Sequence, residues 1–171
     1  VDFVFPKDEC PFEYAKKLSA LAYRGLLTTD HNSYEGHHKW LEATGKYPPR
    51  KIFHPLLNHK QKGLRKRCSG CLQMPCSHHS LPKNFVVLKG IEYDTIDAGH
   101  ILVIMPHNIH LGILELRGLP VEWLIHIVHR HGGVLGPAHP YGEKVLSFAT
   151  TVPKIRQKRL LKKFDFIETF N

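Results

Sequence analysis

The chain has 171 residues, of which 42% are hydrophobic and 23% are charged, and its formal net charge is +9 with histidine neutral. This length is enough for one domain with a hydrophobic core, and the composition is ordinary for a globular protein. No apolar run approaches the ~20 residues of a membrane helix, so we expect no membrane span. The positive charge suits phosphate-bearing partners such as nucleic acid, but a generally basic surface would give the same balance.

Hydrophobic periodicity and turn residues predict alternating strands and helices along most of the chain. Leu124 and Val128 fall on one face of the predicted helix at 119–131, where we also assign Trp123 to packing. In chain order, the predicted elements are a strand at 1–5, a helix at 11–23, a strand at 25–29, a helix at 34–44, strands at 85–88 and 101–105, a helix at 119–131, a strand at 134–138, a helix at 153–163 and a strand at 164–170.

Four predicted strand boundaries carry an acidic or histidine side chain. Asp30-His31 follows the strand at 25–29, Glu92 follows Gly90, His100 opens the strand at 101–105, and His139 ends the strand at 134–138. Parallel α/β folds carry their metal and ligand chemistry at such strand ends, and these residue types bind zinc, manganese or iron. Taken alone, Asp30 would serve equally well as a turn cap and His31 as a partner of the backbone.

Five short motifs together resemble the PHP phosphoesterases, a family named after polymerase and histidinol phosphatase. The motifs are T-D-H-N, G-I-E, G-H, A-H-P and the terminal F-D-F-I-E-T-F-N, and the resemblance spans nearly all of the chain except residues 45–83. It implies one PHP-like domain over residues 1–171, with an α/β fold that is a distorted TIM-like (β/α)7 barrel. It also implies a centre of divalent metal ions whose ligands and catalytic residues include His31, Glu92, His100 and His139.

The implied reaction is hydrolysis of a phosphate ester by a metal-activated water. A nucleotide, an oligonucleotide end and a small phosphorylated metabolite all remain open as substrates. The chain departs from the family at Asp2-Phe3-Val4-Phe5-Pro6, where PHP proteins have D-x-H-x-H, and it lacks a later motif with Asp and His. We therefore expect an incomplete barrel, with a catalytically degenerate module that binds phosphate, nucleic acid or a partner protein as the alternative.

An incomplete barrel would leave strand edges and apolar surface uncovered. Such surfaces favour association with a second copy of the chain or with a missing partner segment. The sequence thus predicts a homo-oligomer or a partner segment beside the phosphate-ester substrate, and it predicts no membrane partner.

Residues 45–83 form a predicted insertion, because the 61 positions from His31 to Glu92 exceed what a crossover helix needs. The insertion combines a basic run at 60–67 with three cysteines and the adjacent pair His78-His79, and Cys68-x2-Cys71 has the spacing with which two thiolates bind one zinc ion. The predicted ligands of this structural zinc are Cys68, Cys71, Cys76 and His78 or His79. Free thiols in a loop, or a zinc-containing adaptor for nucleic acid, are the alternatives.

The cysteine pattern also bears on the compartment. Three of the four cysteines lie within nine positions, and Cys10 is far from them in sequence. This spacing fits metal binding better than the disulfide framework of a secreted protein. We therefore expect a reducing, cytoplasmic location.

Overall fold

The computed structural model of the protein describes residues 11–43, 81–142 and 146–169. None of the helices in these ranges is long and apolar enough to cross a membrane. The helices are α1 Pro11–Ala20, α2 Glu35–Ala43, α3 Val121–Arg130, α4 Phe148–Thr151 and α5 Lys154–Leu161, with a 3₁₀ helix at Gly112–Glu115. The strands are β1 Gly25–Thr28, β2 Val86–Asp94, β3 His100–Met105 and β4 Val134–Pro137.

The four strands form one sheet in the order β1-β2-β3-β4. β2 pairs antiparallel with β3, and β3 pairs antiparallel with β4. A parallel bridge joins His31, just after β1, to Glu92 of β2, so the sheet is mixed. The predicted TIM-like (β/α)7 barrel is therefore wrong: over the described residues the sheet is small and open, and its helices are short.

The connection between β2 and β3 explains why these strands run antiparallel. It spans only residues 95–99, whereas a crossover between parallel strands needs a dozen or more residues. The turn is closed by the backbone N–H of Thr95, which donates to the carbonyl of Gly99 at 3.1 Å. Gly99 has φ +71°, and an added Cβ would lie 2.2 Å from the carbonyl oxygen of Leu146, so glycine is required there.

One cluster of buried apolar side chains forms the core, and α3 contributes its inward face to it. Leu124 and Val128 are fully buried, as the helical periodicity predicts. The prediction that Trp123 packs in the core is wrong: its side chain is 65% exposed, because it lies about 100° around the helix from Leu124. Along β2, Ile91 and Tyr93 enter the core, so the alternating side chains of Glu92 and Asp94 lie on the other face of the sheet.

Residues 164–169 lie along β4, where a final strand is predicted, without forming a regular one. The backbone N–H of Asp165 donates to the carbonyl of Leu135 at 2.9 Å, and that of Glu168 donates to Pro137 at 3.4 Å. The N–H of Leu135 donates to the carboxylate of Asp165 at 2.9 Å instead of to a backbone carbonyl. This side-chain bond replaces one rung of the ladder, which interrupts the strand but keeps the segment in place.

The chain divides into two compact units. Within the described residues, one unit comprises 26–37, 87–142 and 146–169, and it contains the core and all the residues of the candidate site. The other comprises residues 11–25, 38–43 and 81–86. Most of the predicted insertion at 45–83 lies outside the described residues.

Candidate metal centre

The sheet brings together the four side chains that the strand boundaries predict. Glu92 lies near the end of β2 and His100 begins β3, so the antiparallel turn places them at the same end of the sheet. His139 lies two residues after the end of β4. The residue between them, Ala138, donates its N–H to the carbonyl of His100 at 3.1 Å. The expectation that the site lies at the ends of parallel strands is wrong. The end of β2 and the start of β3 meet at the antiparallel turn instead, and this brings Glu92 and His100 together.

Three of these side chains form a nearly equilateral triangle of ligand atoms. Oε1 of Glu92 lies 3.0 Å from Nε2 of His139 and 3.1 Å from Nδ1 of His100, and the two histidine nitrogens lie 3.1 Å apart. The carboxylate is almost fully buried, and the two histidine side chains are only 13% and 14% exposed. Water therefore has little access to the interior of this group.

Protons alone satisfy the triangle poorly. If only one of the two nitrogens, Nδ1 of His100 or Nε2 of His139, carries a proton, the lone pair of the other nitrogen points at a lone pair of the Glu92 carboxylate oxygen and repels it. If both carry one, their N–H groups oppose each other at 3.1 Å. A cation between the three atoms would accept a lone pair from each, which removes the conflict. This conflict distinguishes the group from an ordinary hydrogen-bonded cluster.

The donor set and its spacing fit a divalent transition metal. One carboxylate and two imidazoles are the protein ligands of one class of catalytic zinc site, in which a fourth position stays open. Bonds of about 2.0–2.1 Å in a tetrahedral site separate the ligand atoms by about 3.3 Å, close to the distances found here. The residues could thus hold a metal ion.

A second group shares His100 with the first and contains His31 and Asp94. Oδ1 of Asp94 lies 3.3 Å from Nδ1 of His31 and 3.4 Å from Nε2 of His100. Nε2 of His31 also lies 3.7 Å from Oε2 of Glu92, so the Glu92 carboxylate faces both groups. Asp94 was not predicted, although its position two residues after Glu92 on a strand places both side chains on one face.

The remaining residues of the T-D-H-N motif build the backbone around His31. Asp30 accepts the N–H of Gly36 at 2.9 Å in the first turn of α2, which is the capping role that the sequence left open. Asn32 accepts the N–H of Asp94 at 3.0 Å, and its own N–H donates to the carbonyl of Glu92 at 2.9 Å. These bonds fix His31 beside the end of β2.

Burial lowers the pKa of His100 below its ordinary value, while the carboxylates of Asp94 and Glu92 act in the opposite direction. The burial effect is the larger one, and it favours the neutral imidazole. A neutral imidazole has the free lone pair that metal binding requires.

The other predicted metal ligands lie outside the described residues. These are Cys68, Cys71, Cys76 and His78 of the insertion, together with His79. The segment at 2–6, where the PHP motif is degenerate, lies outside them as well. The structural zinc therefore stays a prediction.

Comparison of the chain with protein-family models and with curated protein sequences found no match. The resemblance to the PHP family thus rests on the five short motifs. Two of them, G-I-E and G-H, contribute a side chain each to the triangle, and A-H-P contributes the third.

Proposed function

We propose that the protein is a metal-dependent phosphoesterase whose principal metal ligands are Glu92, His100 and His139. The observation that carries this proposal is the triangle of three ligand atoms within 3.1 Å of one another in a nearly buried position. A divalent cation bound there would polarise a phosphoryl oxygen and activate a water molecule for hydrolysis. Zinc, manganese and iron all suit this donor set.

His31 and Asp94 supply the open side of the site. Their side chains are 36% and 29% exposed, so they lie between the buried ligands and solvent. Asp94 faces Nδ1 of His31, which favours the tautomer with the proton on that nitrogen. Nε2 of His31 then keeps a lone pair and can accept a proton near the substrate or bind a further cation.

The substrate class follows from the resemblance and the charge of the chain. A net charge of +9 attracts phosphate groups, which supports a nucleotide, an oligonucleotide end or a small phosphorylated metabolite. We propose in addition that the cysteines of the insertion bind a structural zinc, which would make the total metal content exceed that of the catalytic site.

Elemental analysis of the wild type beside His139→Ala and Cys71→Ala separates these sites. We expect His139→Ala to lose metal and to lose hydrolysis of an aryl phosphate, whereas Cys71→Ala loses only the structural zinc. A metal content of His139→Ala equal to that of the wild type would overturn the proposed site. Hydrolysis that persists in His139→Ala would place the chemistry elsewhere in the chain.

A catalytically degenerate binding module is the second candidate. It is favoured by Phe3 and Phe5 in the segment where the PHP motif has two metal-binding histidines, because phenylalanine cannot coordinate a cation. Equilibrium binding of inorganic phosphate to the metal-loaded wild type, without hydrolysis of any aryl phosphate, would identify this function. Turnover that disappears in His139→Ala would exclude it.

A further inference from the structure

We infer that Glu168 is a positioning residue that holds His139 in the conformation needed to complete the triangle of ligands. The inference rests on the proposed metal site. It concerns the segment at 164–169, of which no described residue belongs to either of the two groups around His100.

The backbone of His139 has an unusual conformation. Its φ is +27°, in the left-handed region that residues other than glycine rarely adopt. The carbonyl of His139 accepts the N–H of Gly142 at 2.9 Å, which closes a tight turn directly after β4. A backbone of this kind persists only where the surrounding structure fixes it, and such residues cluster at functional sites.

Glu168 provides that fixation from the neighbouring segment. Its carboxylate accepts the backbone N–H of His139, and its own N–H donates to the carbonyl of Pro137 at 3.4 Å. The two bonds hold the chain on both sides of Ala138. The Ala138 N–H is in turn bound to the carbonyl of His100, so the backbones of two ligands are tied together.

This arrangement couples the final segment to the ligand geometry. Nε2 of His139 reaches Glu92 and His100 at 3.0 and 3.1 Å only while the turn keeps its present course. Without the Glu168 carboxylate, the N–H of His139 loses its acceptor and the turn can relax toward an ordinary φ. Loss of a group that orients a ligand typically weakens metal binding 10–100-fold.

Asp165 offers a matched control on the same segment. Its carboxylate also accepts a backbone N–H next to the sheet, from Leu135 at 2.9 Å, and it contacts His129 at 2.9 Å. Its contacts in the described part of the chain do not include Glu92, His100 or His139. A variant at Asp165 should therefore loosen the segment without altering the orientation of His139.

The test is titration of the full-length, metal-free chain with Co²⁺, followed by its visible absorption spectrum, together with thermal unfolding of each metal-free variant. We expect Glu168→Ala to bind Co²⁺ about 10–100-fold more weakly than the wild type and to change the spectrum. Glu168→Gln keeps an acceptor oxygen and should restore most of the affinity. Asp165→Ala should lower the unfolding temperature yet keep the Co²⁺ affinity and spectrum of the wild type.

Two results would overturn the inference while leaving the proposed function intact. One is Co²⁺ binding by Glu168→Ala that equals that of the wild type while His139→Ala loses it. The other is an equal loss of affinity in Asp165→Ala, which would mean that the segment acts only through general stability. Absence of Co²⁺ binding in the wild type would overturn the proposed function and this inference with it.

Discussion

Oε1 of Glu92 lies 3.0 Å from Nε2 of His139, although 47 positions separate the two residues in the chain. His100 completes the contact at 3.1 Å from each of them. The other oxygen of Glu92 faces His31 at 3.7 Å. Glu92 thus faces each of the three histidines predicted at strand boundaries, and we expect its charge to decide whether the group binds a cation.

Replacing Glu92 by glutamine tests this directly. The amide has nearly the same shape but no charge, so we expect the affinity for Zn²⁺ or Co²⁺ to fall by more than about tenfold. The metal-free variant should unfold at the same temperature as the metal-free wild type or higher, because the substitution removes a buried negative charge that has no bound cation to neutralise it. Isothermal titration and thermal unfolding measure the two effects.

Glu115→Gln is the control for that substitution, since the Glu115 carboxylate contacts His110 at 3.5 Å and belongs to neither ligand group. Its metal affinity should equal that of the wild type. Equal affinities in Glu92→Gln and Glu115→Gln would contradict the assignment of Glu92.

Two adjacent positions on α3 test the core. Leu124 is fully buried, so Leu124→Ala should lower the free energy of unfolding by about 2–5 kcal/mol through lost burial and a residual cavity. Trp123 is 65% exposed, so Trp123→Ala should change it by about 0.5 kcal/mol or less. Urea denaturation of both variants gives the comparison, and a larger loss at Trp123 would show that its indole is packed in solution.

Gly136 tests the contact between β4 and the final segment. A Cβ at Gly136 would lie 2.1 Å from the carbonyl oxygen of Phe166, so Gly136→Ala must displace backbone, at a cost of about 1–3 kcal/mol. A Cβ at Gly112 meets no atom within 4 Å, which makes Gly112→Ala the matched control. Chemical denaturation should show a loss for the first variant alone, and equal stabilities would mean that residues 164–169 do not lie against β4.

The Asp165 carboxylate should make the free energy of unfolding depend on pH in the acid range. Burial acts to raise the pKa of its carboxyl, but the hydrogen bonds from Leu135 and His129 and the charge of His129 together lower it below the ordinary value. A lowered pKa means that the stabilisation is present above the unfolded pKa of about 3.9 and is lost as the pH falls through the folded pKa. The side chain is 35% exposed, so the contribution is modest.

Urea denaturation of the wild type and Asp165→Asn between neutral pH and strongly acidic pH measures this contribution. The difference in free energy of unfolding between them should be largest near neutral pH and should shrink below about pH 4. A difference that stays constant over this range would show that ionisation of Asp165 does not stabilise the fold.

The sequence by itself determined where most helices and strands lie and which histidines and carboxylates stand at strand boundaries. Predicted and observed bounds agree within two residues for α3 and β3, because the apolar residues of α3 recur with the period of a helix and those of β3 form a short continuous run. His31, Glu92, His100 and His139 are predicted from their places at strand boundaries together with the resemblance to the PHP family. These properties are local, so a single sequence encodes them.

The tertiary structure alone decided the direction of the strands. It also decided that one face of β2 packs in the core while the opposite face carries Glu92 and Asp94. The strand predicted at 85–88 is too short: β2 continues through Gly90 to Asp94, because pairing with β3 satisfies the backbone of these residues. That longer strand adds Asp94 to the site, and the short turn after it makes β2 and β3 antiparallel. Strand direction depends on which segments pair, and that choice is made by contacts between residues distant in the chain.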